Sequence, residues 1–302
     1  MLPAPDFVRS SARLVSALPA HLRRHAPSAW ASANLQRVAD SFLEGPCFDA
    51  SGNLLMVDIP FGRILQLSPS LQWSVLAEYD GWPNGLKVEA HAEGTGPTAM
   101  IADYRRGLLR LHLASGRTED VLPHRHSESF RGLNDLTRAA DGAIYFTDQG
   151  QSGLQDPCGR VFRWHQGKLD VVLDHIPSPN GIALNPAQNQ LYLAVTRANA
   201  IWRIPLQPDG GVSKVGLWIQ LSGGTGPDGI AVDAAGNLYV AHIGLGCVWA
   251  FNPRGEAVLR IDTPGDLPTN LAIHPQRAEI YITEASRGEV LVHALVRKNN
   301  GS

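Results

Sequence analysis

Pro179-Asn180-Gly181-Ile182-Ala183 and Pro227-Asp228-Gly229-Ile230-Ala231-Val232-Asp233 are two copies of one pattern: a polar residue, a small or turn residue, then an apolar run. Four further copies begin at Glu44-Gly45-Pro46, Asn84-Gly85-Leu86, Asn134-Asp135-Leu136 and Thr269-Asn270-Leu271. Most run on to a turn and a second β-rich stretch, as in Asp141-Gly142-Ala143-Ile144-Tyr145-Phe146. Units of roughly 40 to 50 residues, dense in strand and turn signals, predict a β-propeller. The expected fold is therefore all-β, a six-bladed β-propeller over 35–298. The stretch 1–34 forms a short N-terminal extension.

Turn chemistry supports the strand assignments. Ser51-Gly52, Asp141-Gly142 and Ala235-Gly236 precede Asn53 to Asp58, Ala143 to Asp148 and Asn237 to Ala241. Such pairs supply the positive φ that tight hairpins require. Val161 to Trp164, Ala200 to Ile204 and Cys247 to Phe251 read as third strands. Ser11 to Arg24 carries Leu14, Leu18 and Leu22 at helical spacing and predicts a short amphipathic helix on the rim. Leu35 to Phe42 has strand character, and we expect it to close the ring as the outer strand of the last blade, beside Glu289 to Val296.

Composition narrows the function. A net charge of -2 and only isolated basic pairs, such as Arg23-Arg24 and Arg105-Arg106, give no footprint for nucleic acid. Arg13 and Arg23-Arg24 interrupt any apolar run long enough for a signal core or membrane span. Cys47, Cys158 and Cys247 are odd in number and lack C-x-x-C spacing, which fits reduced thiols in a cytoplasmic protein. The expected partner is a small molecule, with no nucleic acid and no membrane.

Propeller symmetry brings equivalent positions of distant repeats to one mouth of the axis. Glu44 and Asp228 would supply carboxylates there, and Asn134 and Asn180 carboxamides. All offer oxygen, which suits a hard divalent cation: Ca²⁺ first, with Mg²⁺, Mn²⁺ or Zn²⁺ as alternatives. Two carboxylates at one point repel without a cation, so one pKa should rise. Glu44 is the most telling of the set, because a Glu before Gly-Pro has no turn role that Asp or Asn would not fill better. No G-x-S-x-G elbow is present to support a serine mechanism.

These motifs, recurring in order over about residues 40 to 295, resemble the senescence-marker-protein/gluconolactonase family of six-bladed propellers, also called regucalcin-like. The resemblance implies that Glu44, Asn180 and Asp228 bind a metal and that Asn134 contacts the metal or the substrate. It also implies hydrolysis of a lactone, with the cation polarising the carbonyl and Asp228, the catalytic candidate, activating water. The sugar-lactone members carry an Arg two residues before the Asn matching Asn134. Here that position is Gly132, and Arg131 lies one residue further back. Arg131, Asn84, His126 and Asn134 are the expected substrate contacts, with Trp82 as an apolar wall and His242 as a neighbouring donor. Three alternatives stay open: a broader esterase or organophosphate hydrolase at the same ion, a calcium- or ligand-binding propeller without turnover, and a metal-free strictosidine-synthase-like propeller.

Overall fold

The computed structural model describes residues 7–89 and 96–296. Six four-stranded antiparallel blades surround one axis, as the repeats predict. Their inner strands are Leu43–Phe48, Pro83–Val88, Leu133–Arg138, Pro179–Leu184, Gly226–Val232 and Pro268–Ile273, and they define blades 1 to 6. The predicted second and third strands fall where the turn signals put them, for example Ile144–Asp148 and Gly159–His165 in blade 3. Apolar clusters fill the spaces between successive blades. Leu55, Val57, Leu86 and Ile101, for example, join blades 1 and 2. Among the described residues no helix is long and apolar enough to cross a membrane.

The hairpin turns explain several acidic residues in the repeats. The Asp233 carboxylate accepts from the Ala235 and Asn237 amides, each at 2.9 Å. Asp49 does the same for Ser51 and Asn53. These Asp side chains belong to the turns, far from the axial motif in each repeat.

Ring closure differs from expectation. Arg13–Ala17 is the outer strand of blade 6, paired antiparallel with Glu289–Ala294. Val8–Ser11 adds a fifth, parallel strand to blade 5 through Ala257–Asp262. The expected helix over Ser11 to Arg24 is thus two strands and a turn. Leucines four apart satisfy a strand's even period as well as a helical one, and Pro19 follows directly. A register shift between Leu14 and Ser16 reverses the outward face, so Leu14 is exposed while Leu18 is buried. Leu35 to Phe42 does not close the ring. Within it only Ala39–Asp40 pairs, with His25–Ala26, and Leu35 is 97% exposed. The helix in this region is the single turn Ala29–Ala33, capped where Ser28 Oγ accepts from the Ala31 amide at 3.1 Å. Strands within 1–34 are therefore integral to two blades. The first six residues and the last two of the 35–298 range lie outside the described residues.

Closure predicts a stability effect. Leu18 packs with Leu43, Met56, Tyr281 and Val290, from the first and last blades. Leu18→Ala should cost about 2–5 kcal/mol, and deleting residues 1–24 should cost more. Both should lower a single cooperative melting transition in calorimetry. A truncated protein melting like the full chain would show that the N-terminal strands do not close the ring.

Candidate active site

Each repeat motif sits where its inner strand bulges. Register shifts fall at Glu44/Cys47 in blade 1, Leu133/Leu136 in blade 3, Pro179/Ile182 in blade 4 and Pro227/Ile230 in blade 5. A bulge breaks the alternation of side chains and lets one turn into the axis. The small residue after it answers to the next blade. A Cβ on Gly181 would lie 2.5 Å from the Asp228 carbonyl oxygen, and one on Gly229 would lie 2.0 Å from Asn270 Cγ. Hydroxyls bind the blades at the same level: Thr147 donates to the Asn180 carbonyl at 2.9 Å, and Thr269 to that of Leu43 at 2.8 Å.

Glu44, Asn134, Asn180 and Asp228 are all buried, at 3–6% exposure. Glu44, Asn134 and Asp228 line one cavity of 210 Å³, together with Asn84, Trp82, Tyr104 and Gln149. The N-terminal turn contributes Trp30 and Ala33 to its wall. Trp82 and Tyr104 face each other with ring centroids 5.6 Å apart, giving the apolar side expected of Trp82. Three buried oxygens of these four side chains have no hydrogen-bond partner among the described residues: Glu44 Oε2, Asn134 Oδ1 and Asn180 Oδ1. Such atoms are costly to bury unless something fills their lone pairs. Three of them from three blades, beside a fourth oxygen side chain, fit a hard divalent cation.

The remaining atoms of these side chains are held in place. Asn270 Nδ2 donates to Glu44 Oε1 at 2.9 Å, leaving Oε2 open. Gln149 Oε1 accepts from Asn134 Nδ2 at 3.1 Å, leaving Oδ1 open, and Gln149 Nε2 is itself fixed on Ser178 Oγ at 2.9 Å. Burial pushes the Asp228 carboxyl up to about 8; the Asn180 amide pulls it down and the Asp135 charge adds to the rise. Glu44 is likewise raised by burial first, then by Asp228 and Asp135. Burial opposes the Lys87 ammonium, but Asp135, Cys47 and Glu44 outweigh it and hold it protonated. Glu44 and Asp135 thus share one fixed cation.

Two residues of this network were not legible as functional. Asp135 and Asn270 occupy the position that is Gly in the other four motifs. Asn270 touches Glu44, and burial raises Asp135 while Lys87 and Asn270 draw it down. That departure from Gly was the available signal. Tyr104, Gln149 and Gln151 come from loops without a motif. Other expected contacts lie elsewhere. The Arg131 guanidinium donates to the Cys158 carbonyl, and Arg131 does not line the cavity. His126 sits in the turn of the small hairpin His124–Arg125/Glu128–Ser129, also away from the lining. The His242 ring is buried against the Gly223 carbonyl at 3.0 Å. The three cysteines are unbridged thiols; burial raises Cys47, and Cys247 to about 11.

Residues 42–286 match the family described as SMP-30/gluconolactonase/LRE-like region. The chain belongs to this family. Lactonase drp35 of Staphylococcus epidermidis is 28% identical over 243 residues, spanning 78% of this chain and 74% of that relative. A gluconolactonase from Xanthomonas campestris superposes with a TM-score of 0.75 at 23% identity, covering 97% of this chain and 100% of the other. Regucalcin from Agrobacterium tumefaciens, described as a calcium-binding protein, gives 0.74 at 21% identity over 96% and 95% of the two chains. At those identities the two structures speak for the propeller fold. The family match covers all six axial motifs.

Proposed function

We propose that this protein is a metal-dependent hydrolase that opens the ring of a small lactone. The observation carrying the proposal is the set of partnerless oxygens on Glu44, Asn134 and Asn180 beside the raised carboxyl of Asp228. The names of the relatives, a lactonase and a gluconolactonase, point to the same chemistry. Glu44, Asn134, Asn180 and Asp228 would hold the cation, with Ca²⁺ favoured by the all-oxygen donor set. A bound dication supplies Lewis-acid polarisation of an ester carbonyl and charge to offset the oxyanion.

The chain's own residues do the rest. Asp228 accepts a proton from water as the water oxygen bonds to the carbonyl carbon. The ring C–O bond then breaks, and the proton passes to the departing alkoxide. Asn270 and Gln149 hold Glu44 and Asn134 in fixed rotamers, which lowers the reorganisation needed at reaction. Trp30, Trp82 and Tyr104 exclude bulk water and pack on the ring, while Asn84 is placed to contact it.

Chelator-treated protein should open no lactone in a panel of γ- and δ-lactones, and Ca²⁺ or Mn²⁺ should restore hydrolysis. Metal uptake without hydrolysis of any member would replace this reading with that of a binding propeller. Hydrolysis undiminished by chelation would remove the metal from the mechanism.

A further inference from the structure

We propose that the pocket continues outward into a carboxylate-binding subsite built on Arg197, so that the preferred lactone carries a carboxylate beside its ring. This rests on the lactonase reading of the inner cavity. The inner space shares Asn34, Gln149, Gly150 and Gln151 with an adjoining cavity of 610 Å³. The outer walls are mostly amides and hydroxyls, and Arg197 is their one ionic side chain. Substrate seated against Trp82 and Tyr104 would therefore extend past Gln149 towards a single positive charge.

Arg197 is held by its backbone, and its side chain is exposed. It lies in the turn Thr196–Ala198, which Asn199 ends in the left-handed region at φ 48°. The Thr196 amide donates to the Ser178 carbonyl at 3.0 Å, and its hydroxyl to the Pro227 carbonyl at 2.8 Å. Those anchors immediately precede the motifs of Asn180 and Asp228. The turn is thus fixed to the elements that place two of the four oxygen donors.

Arginines at the head of the third strand in other blades are already used. Arg63 pairs with Asp58 at the end of the second strand in blade 1, and Arg160 with Asp148 in blade 3. The matching strand of blade 4 ends in Val195, which offers no acid. Among the described residues the Arg197 guanidinium makes no hydrogen bond or ion pair. A planar fork with free donors suits a carboxylate, which it can grip with two parallel bonds. Among the described residues no second cation lines the outer cavity, which argues for a singly charged group.

The test compares γ-butyrolactone with the same ring bearing a carboxylate on its γ carbon, using calcium-loaded enzyme. The ratio of kcat/KM, charged over neutral, should fall about tenfold in Arg197→Gln, mainly through KM. Arg197→Lys should retain part of the preference. Added salt should erode it in the native enzyme and not in Arg197→Gln. An unchanged ratio in Arg197→Gln overturns the inference and leaves the lactonase reading standing. If neither lactone is opened, calorimetric titration of the ring-opened hydroxy dicarboxylate still decides. About tenfold weaker binding to Arg197→Gln sustains the subsite; equal binding, or none to either protein, removes it.

Discussion

Asp228→Ala should lower kcat/KM for any lactone substrate by at least about 10³ while the propeller stays folded. General-base assistance alone accounts for roughly 10² to 10⁴, and this carboxylate would also be lost as one of the two charged donors. The fold should survive because the side chain contributes no apolar packing. Blade packing here runs through backbone: Gly181 abuts the Asp228 carbonyl, the Pro227 carbonyl receives Thr196, and Gly229 abuts Asn270, while the Asp228 side chain meets only the Asn180 amide among the described residues. Removing a buried carboxyl with a raised pKa even relieves strain in metal-free protein. Asp228→Ala should therefore melt at or above the native temperature when no metal is present. Glu44→Gln makes the useful contrast. It keeps the Asn270 contact available and Asp228 as a charged donor, so it should weaken metal affinity first and recover part of its turnover at high Ca²⁺. Activity near wild type in Asp228→Ala would refute the assigned base. Unfolding of that variant would refute the claim that the axis is functional rather than structural.

How far the sequence carried the reading follows from what each residue is for. The six motifs were legible because each is one bulge repeated, and a bulge against a neighbouring blade demands both a small residue and a polar one at fixed spacing. Glu44 stood out because nothing local explains it. Asn270 was harder: its motif is displaced by one, so Thr269 aligns with the donors and Asn270 with the glycines. Only the three-dimensional contact with Glu44 at 2.9 Å gives it a role. The strand that closes the ring has a weak sequence signature for a physical reason. Arg13–Ala17 is short, half polar and bulged, so its alternation is broken and its leucines mimic a helix. Arg131 lies close to Asn134 in sequence. The positive φ of 146° at Gly132 between them lets the chain turn, and the guanidinium ends on Cys158 instead. Loop residues such as Tyr104 and Gln149 carry no periodic signature, so nothing in the chain announced them.

Metal-free protein should lose stability as pH rises from about 6 to 9, and Ca²⁺ should abolish most of that loss. The sign follows from Asp228. Its carboxyl lies at about 8 in the fold against an ordinary 3.8, so the native state binds the proton more tightly than the unfolded chain. The resulting stabilisation is complete below the unfolded value and disappears as pH climbs through the folded one. Glu44, raised for the same reason of burial, adds to the trend. Protons and Ca²⁺ compete for the same oxygens, so apparent affinity should rise by up to about tenfold per pH unit below 8 for each proton released, then level off. At a hundred times its dissociation constant Ca²⁺ contributes about 2.7 kcal/mol. For a protein of this size that is a melting shift of roughly 5 °C, and the gap between the two forms should widen with pH. Calorimetric scans with chelator and with Ca²⁺ at pH 6, 7.5 and 9 would measure it. In Asp228→Ala the pH trend of the metal-free protein should shrink and the calcium shift should nearly vanish. Parallel melting curves with and without Ca²⁺ across that range would mean that these buried oxygens hold no cation, and that their missing partners must be sought among ordered waters instead.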